Sequence, residues 1–210
     1  MSATGPTTLS RWAGPLLITG GILWVPYGIL EMLEPWGTDV VYQDDVGYSL
    51  VTDTARFVAY SLPGGLALLL TSLGLLGLYT QLGMPTGSSG RIGRILAGIA
   101  LALAALSVAG VVTLFDPLFT SGRIFGTLAL GAATFLAGLD ALRDGRAPNW
   151  TLALLVLGLL GLFLFPLWPL VFALQWLPEA GGAALIALFG IGWSALGLAL
   201  LRTTVPRKVE

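Results

Sequence analysis

Residues 95–115 read ILAGIALALAALSVAGVVTLF, an apolar run without a single charged side chain. They form the middle of a longer stretch from Ile92 to Phe115. A helix rises 1.5 Å per residue, so about 20 residues cross the roughly 30 Å of bilayer hydrocarbon. Five comparable stretches flank it: Trp12–Leu33, Phe57–Leu82, Ile124–Leu142, Trp150–Leu177 and Ala180–Leu201. A soluble domain of this size cannot hide so many. The runs are continuous and not alternating, which predicts helices and speaks against strands. The expected fold is therefore all-α: one domain over residues 1–210, a bundle of six transmembrane helices with one long loop at 34–54.

Composition agrees. Hydrophobic residues make up 56% of the chain and charged residues 10%, against about 25% charged in ordinary soluble domains. The net charge of −1 leaves no basic footprint for nucleic acid. The first run is too long for a signal-peptide core and no small-residue cleavage site follows it, so it reads as a retained helix.

Charge sets the expected orientation. Arg11, Arg91, Arg94, Arg143, Arg146, Arg202, Arg207 and Lys208 fall in one alternating set of segments, and only Arg56 and Arg123 in the other, a split of 8 to 2. Positive charge marks the cytoplasmic side, which predicts both termini in the cytoplasm of a cell-membrane protein. The outer set carries Glu31, Glu34, Asp39, Asp44, Asp45, Asp53, Asp116 and Glu179, 8 of the 11 acidic residues.

Absences limit the chemistry. With no His and no Cys, zinc sites and serine–histidine or cysteine–histidine catalysis are excluded. Met1, Met32 and Met84 lie outside helix centres, so a haem has no axial ligand. The single lysine, Lys208, is in the tail and cannot carry retinal. No phosphate loop or dinucleotide fingerprint occurs. No metal, cofactor or enzymatic activity is expected. No ionisable residue falls near a helix centre, where one would mark function; Asp140 reads as an interfacial carboxylate at the cytoplasmic end of the fourth helix.

Small residues four apart let helices approach closely in lipid. Gly98–Ala102, Ala100–Ala104, Ala105–Ala109, Ala129–Ala133, Ala133–Ala137, Ala183–Ala187, Gly190–Ser194 and Ala195–Ala199 predict a tight centre of helices three, four and six. Helices one and five would then face lipid. GLYTQLG from Gly77, GLDALRDG from Gly138 and GLALLRTT from Gly197 suggest three repeated hairpins.

Polar residues gather at the outer level: Glu31 ending helix one, Asp53 and Arg56 beginning helix two, Asp116 ending helix three, Arg123 beginning helix four, and Gln175 and Glu179 between helices five and six. Trp24, Tyr27, Tyr60, Phe115, Phe119, Trp168 and Trp176 share that level. Glu31, Asp53, Arg56, Asp116, Arg123, Trp24 and Tyr27 are the candidate ligand-binding residues. A carboxylate near each arginine is expected, since the N-terminal end of a helix offers a cation nothing. Pro26, Pro63, Pro166 and Pro169 predict kinks that widen this end into a shallow cavity. The long loop, with Trp36, Tyr42 and Tyr48, is either a binding loop or plain packing over the helix ends.

The segments RWAGPLLITGGILW (11–24), GLDALRDGRAPNW (138–150) and GWSALGLALLR (192–202) resemble small six-span prokaryotic membrane proteins of unassigned activity. That resemblance implies the six-helix fold and transfers no functional residue. The expected function is non-catalytic: a subunit of a larger membrane complex, or a binder of a small or lipidic ligand at the outer face. A solute-transport component is the alternative, since vitamin-binding subunits of some importers share six helices and a long first loop. The lipid bilayer is the one certain partner of such a chain.

The chain has no cysteine, so single cysteines can be read without background. At Ser49 a cysteine should react with a membrane-impermeant thiol reagent in intact cells, and at Ser88 it should not. The reverse pattern would invert the orientation.

Overall fold

The computed structural model describes residues 8–33, 39–81, 88–143, 150–164 and 179–204. Six helices run through them: α1 (Thr8–Leu33), α2 (Thr54–Gln81), α3 (Ser88–Val112), α4 (Asp116–Arg143), α5 (Thr151–Leu164) and α6 (Glu179–Thr204). Five of these, all but α5, contain spans long and apolar enough to cross a membrane, which marks a membrane-embedded helical protein. The described part of α5 has 14 residues, about 21 Å of helix. Its expected continuation through Pro166 and Pro169 to Leu177 lies outside the described residues. So do Trp36, Arg146, Trp168, Gln175, Trp176, Arg207, Lys208 and the Glu179 side chain. Pro26 and Pro63 sit within unbroken helices.

The long loop corrects the expectation of no strands. It contains a hairpin, β1 (Val40–Gln43) and β2 (Tyr48–Val51), antiparallel with Val40 opposite Val51 and Gln43 opposite Tyr48. The strands VVYQ and YSLV are rich in β-branched and aromatic residues, which suit a pleated surface. Between them Gly47 adopts φ +74° and donates its N–H to the Gln43 carbonyl at 2.9 Å. Four-residue strands inside an acidic loop leave too little pattern to stand out from the sequence. Val40 is buried with Phe57 of α2, Val111 of α3 and Phe119 of α4, so the hairpin is pinned over three helix ends.

Packing follows chain order only in part. α1 lies between α2 and α6, and α4 lies between α3 and α5. α2 meets α3 and, more lightly, α4; α5 meets α6 lightly. A ring of α1, α2, α4, α5 and α6 results, with α3 seated against the α2–α4 side. Neighbours are antiparallel except α2 and α4, which run parallel, Leu68 meeting Gly126 and Tyr79 meeting Ala133. Gly14 of α1 approaches Gly197 and Leu201 of α6 at one end, while Glu31 of α1 meets Arg123 of α4 at the other. The first end is called here the terminal end, the second the hairpin end.

The expected tight centre is therefore misplaced in one respect. α1 is a core helix: Leu17, Trp24 and Tyr27 are buried. α3 is the most exposed of the five long spans, with 33% of its window buried against 61% for α2 and 56% for α4. Its Gly98, Ala102 and Ala105 face outward, and a Cβ on Gly98 would meet nothing within 4 Å. Ala129, Ala133 and Ala137 of α4 are buried, as their spacing predicts. Close helix contacts are made at glycines. A Cβ on Gly190 of α6 would lie 2.6 Å from the Gly21 carbonyl oxygen of α1, and one on Gly131 of α4 would lie 2.6 Å from the Gly161 carbonyl carbon of α5. Leu16, Ile18 and their neighbours disguise the α1 glycines as a plain lipid-facing run.

The three repeat glycines do not occupy equivalent places. Gly77 meets α1, Gly138 meets Leu155 of α5, and Gly197 meets α1. Two of them face a helix outside the hairpin the repeat would assign them.

The turn between α3 and α4 also departs from expectation. Leu114 adopts φ +55°, and the Phe115 N–H reaches the Gly110 carbonyl at 2.8 Å, a six-to-one closure of a helix C-terminus. α4 then starts at Asp116, about two turns before the expected Ile124. Asp-Pro is a favourable opening, since proline at the first turn loses no needed hydrogen bond and a carboxylate complements the helix dipole.

Substitutions should follow this map. Gly190→Leu and Gly131→Leu add volume where backbones touch and should lower stability by at least about 1–3 kcal/mol. Gly98→Leu and Ala102→Leu should leave the melting temperature in detergent close to wild type. Equal losses at all four positions would show that α3 does not face outward.

Candidate functional site

The α4 start decides where Arg123 lies. With the helix beginning at Asp116, Arg123 is two turns inside it and not at its N-terminus. That side chain points across the hairpin end to α1, where its Nη1 donates to Glu31 Oε1 at 2.9 Å. The pair is enclosed, with side-chain exposures of 8% for Arg123 and 18% for Glu31. Side chains on a helix lean towards its N-terminus. Arg123 therefore leans towards the hairpin end and meets a glutamate one turn beyond Tyr27 on the antiparallel α1.

Aromatic rings surround the guanidinium. Its central carbon lies 5.6 Å from the Tyr27 ring centroid and 5.1 Å from that of Phe119. A cation over a ring face gains about 0.5–2 kcal/mol, more where water is excluded. Phe119 stacks edge-on against Phe57 at 5.8 Å, tying the site to the cluster beneath the hairpin. Tyr27 packs on α2 at Gly64, where a Cβ would come within 2.8 Å of the ring. Glycine is required there because ring and backbone are already in contact. Tyr27 also meets Trp24 edge-on at 5.8 Å, and Trp24 meets Phe189 of α6 at 5.5 Å.

The seven expected residues thus separate into groups. Glu31, Arg123 and Tyr27 converge, and Trp24 backs them one turn deeper. Asp116 is buried on the same face of α4, two turns towards the hairpin, and accepts from Thr120 Oγ1 at 3.0 Å. Asp39 at the foot of the hairpin is an electrostatic neighbour of both Glu31 and Asp116. Asp53 and Arg56 do not join. Their contact at 4.0 Å is exposed on both sides, and Asp53 Oδ1 accepts the Arg56 backbone N–H at 3.0 Å. Asp53 is therefore an N-cap of α2, and such an exposed pair contributes about 0–1 kcal/mol. Both arginines have the carboxylate expected of them, but only one pair is buried.

Phe119 matters more than its place among the interfacial aromatics suggests, and Gly64 and Thr127 escape a reading by residue type altogether. The Asp-Pro step at 116–117 is the signal that would have found Phe119. It starts a helix on which Asp116, Phe119, Arg123 and Thr127 share one face at three- and four-residue spacing.

At the terminal end polar contacts are structural. Ser89 Oγ donates to Asp140 Oδ1 at 2.9 Å, joining α3 to α4, and Arg143 Nη1 reaches Ser89 Oγ at 3.5 Å. Tyr79 Oη donates to the Ala133 carbonyl at 2.6 Å across α2 and α4. Among the described residues no group of three or more acidic side chains has metal-binding geometry.

No protein-family model, curated protein or solved structure matches this chain.

Proposed function

We propose that this chain is a non-catalytic integral membrane protein that binds a small or lipidic ligand at the outer face formed by its hairpin end. In this reading six helices cross the cell membrane and both termini are cytoplasmic. The 8-to-2 distribution of basic residues supports that orientation. An even number of crossings puts Thr8 and Thr204 on one side, in keeping with their common end of the bundle.

The observation that carries the proposal is the buried Arg123–Glu31 pair beneath the hairpin. Ionisable side chains within membrane spans are costly and by default mark a functional site. Stability alone is a poor reason for such a pair, because well-packed apolar residues of the same volume often serve the fold equally well. A guanidinium and a carboxylate side by side, walled by Tyr27 and Phe119, can exchange their mutual contact for a ligand that offers both a donor and an acceptor. A zwitterionic headgroup or a small polar solute fits that description. The runner-up, a subunit of a larger membrane complex, is favoured by the outward Gly98–Ala102 face of α3, where small residues leave room for a second helix.

Protein purified in mild detergent should carry a stoichiometric small molecule or lipid, detectable by mass spectrometry after extraction. The double variant Glu31→Leu/Arg123→Leu should lose that molecule while melting as a folded protein. Identical contents in both proteins would refute ligand binding at the pair.

A further inference from the structure

One turn deeper than the ion pair, three buried polar atoms have no hydrogen-bond partner among the described residues: Tyr27 Oη, Thr127 Oγ1 and Trp193 Nε1. Their residues are 1%, 0% and 0% exposed. This is unusual, because serine and threonine inside helices commonly donate to a carbonyl three or four residues back. Thr134, one helical stripe further along α4, does so to Leu130 at 2.6 Å, and Thr71 of α2 does so to Ala67 at 2.7 Å. Thr127 does not.

Helix geometry sets the three residues at neighbouring levels of the bundle. Thr127 follows Arg123 by four residues, so it lies on the same face of α4, about 5–6 Å deeper. Arg123 is over the Tyr27 ring. Tyr27 leans towards the N-terminus of α1, which carries its hydroxyl inward, away from Glu31 and towards the Thr127 level. Trp193 belongs to α6, whose N-terminus is at the hairpin end, so its indole leans the opposite way, back towards the same level. The rings connect without a break: Tyr27 to Trp24 at 5.8 Å, Trp24 to Phe189 at 5.5 Å, and Phe189 to Trp193 at 5.8 Å.

We infer that Tyr27 Oη and Thr127 Oγ1, with Trp193 Nε1 behind them, form a buried binding site for a small uncharged hydrogen-bonding molecule. The shared chemistry is a neutral oxygen that both accepts and donates, as in water or the hydroxyl of a small solute. The three groups are themselves neutral, and the Arg123–Glu31 pair above them is mutually compensated, so the site is matched to a neutral molecule. In hydrocarbon surroundings an unpaired hydroxyl carries its full desolvation penalty, and a shared neutral oxygen removes that penalty for both hydroxyls at once. Access is from the hairpin end. Towards the terminal end the interior is filled by Leu17, Leu75, Leu130 and Leu154, all fully buried. The inference is independent of whether the ion pair above takes a larger ligand.

A double-mutant cycle on the full-length protein in detergent tests it. Tyr27→Phe and Thr127→Val remove one hydroxyl each with almost no change in shape, so both variants should fold. If one molecule bridges the two hydroxyls, each substitution lowers the melting temperature, and the double variant loses less than the sum of the singles. Thr127→Ser, which retains a hydroxyl, should melt closer to wild type than Thr127→Val. Coupling that survives exhaustive dialysis identifies water; coupling lost on dialysis and restored by glycerol identifies a solute hydroxyl. If either single substitution raises the melting temperature, or the two losses simply add, the hydroxyls share no occupant and the inference is wrong.

Discussion

Keeping a guanidinium charged and enclosed within a membrane bundle is the constraint on which the hairpin end depends. An arginine cannot shed its proton at any ordinary pH, so Arg123 needs a carboxylate, ring faces and shelter from lipid. Glu31 supplies the first at 2.9 Å, Tyr27 and Phe119 the second. The third comes from the surrounding bundle, which leaves the Arg123 side chain 8% exposed, while β1 and β2 sit over the same end, anchored by Val40 among Phe57, Val111 and Phe119. Each requirement fixes a different element. The pair joins α1 to α4, two helices whose main partners are otherwise elsewhere. The ring contacts require Gly64 on α2. The hairpin closes the ends of α2, α3 and α4.

Below this level the bundle is assembled by close backbone contact. Gly21 with Gly190 and Gly131 with Gly161 let the α1 and α6 backbones, and those of α4 and α5, approach so closely that a Cβ would clash, which in lipid is a main source of association. α3 turns Gly98, Ala102 and Ala105 outward and is held by Gly110 and Gly122 at the α4 interface and by the Ser89–Asp140 bond at the other end. Close glycine contacts thus run the length of the bundle, and the buried ion pair lies at its hairpin end.

Much of this was legible in the sequence. Continuous apolar runs near the length of a bilayer crossing identify helices because a helix satisfies its own backbone groups in lipid, and five long spans overlap those runs. The partnership of Arg56 with a carboxylate followed from the poor fit of a cation to a helix start, whereas Arg123 finds its carboxylate from two turns inside α4. What was not legible came from information that residue type does not carry. Strands of four residues give no periodicity, so the hairpin in 40–51 was hidden. The side of α3 that carries Gly98 and Ala102 cannot be told from the side that carries Ala100 and Ala104, because both show the same four-residue spacing. The start of α4 was misjudged by about two turns because DPLFTSGR looks polar, although Asp-Pro marks a helix opening. That error put Arg123 at the start of the helix when it lies two turns inside.

The most direct test of the central interaction is the stability of three variants: Arg123→Met, Glu31→Gln and the charge exchange Glu31→Arg/Arg123→Glu, measured by reversible unfolding or thermal melting in one detergent. A buried pair predicts that removing Arg123 alone strands Glu31 and lowers stability by about 3–5 kcal/mol. Glu31→Gln should lower it as well, because it leaves the guanidinium uncompensated. The exchanged pair should recover a large part of either loss. If both single variants melt like the wild type, or the exchange is no better than the worse single variant, Arg123 and Glu31 do not hold the hairpin end together.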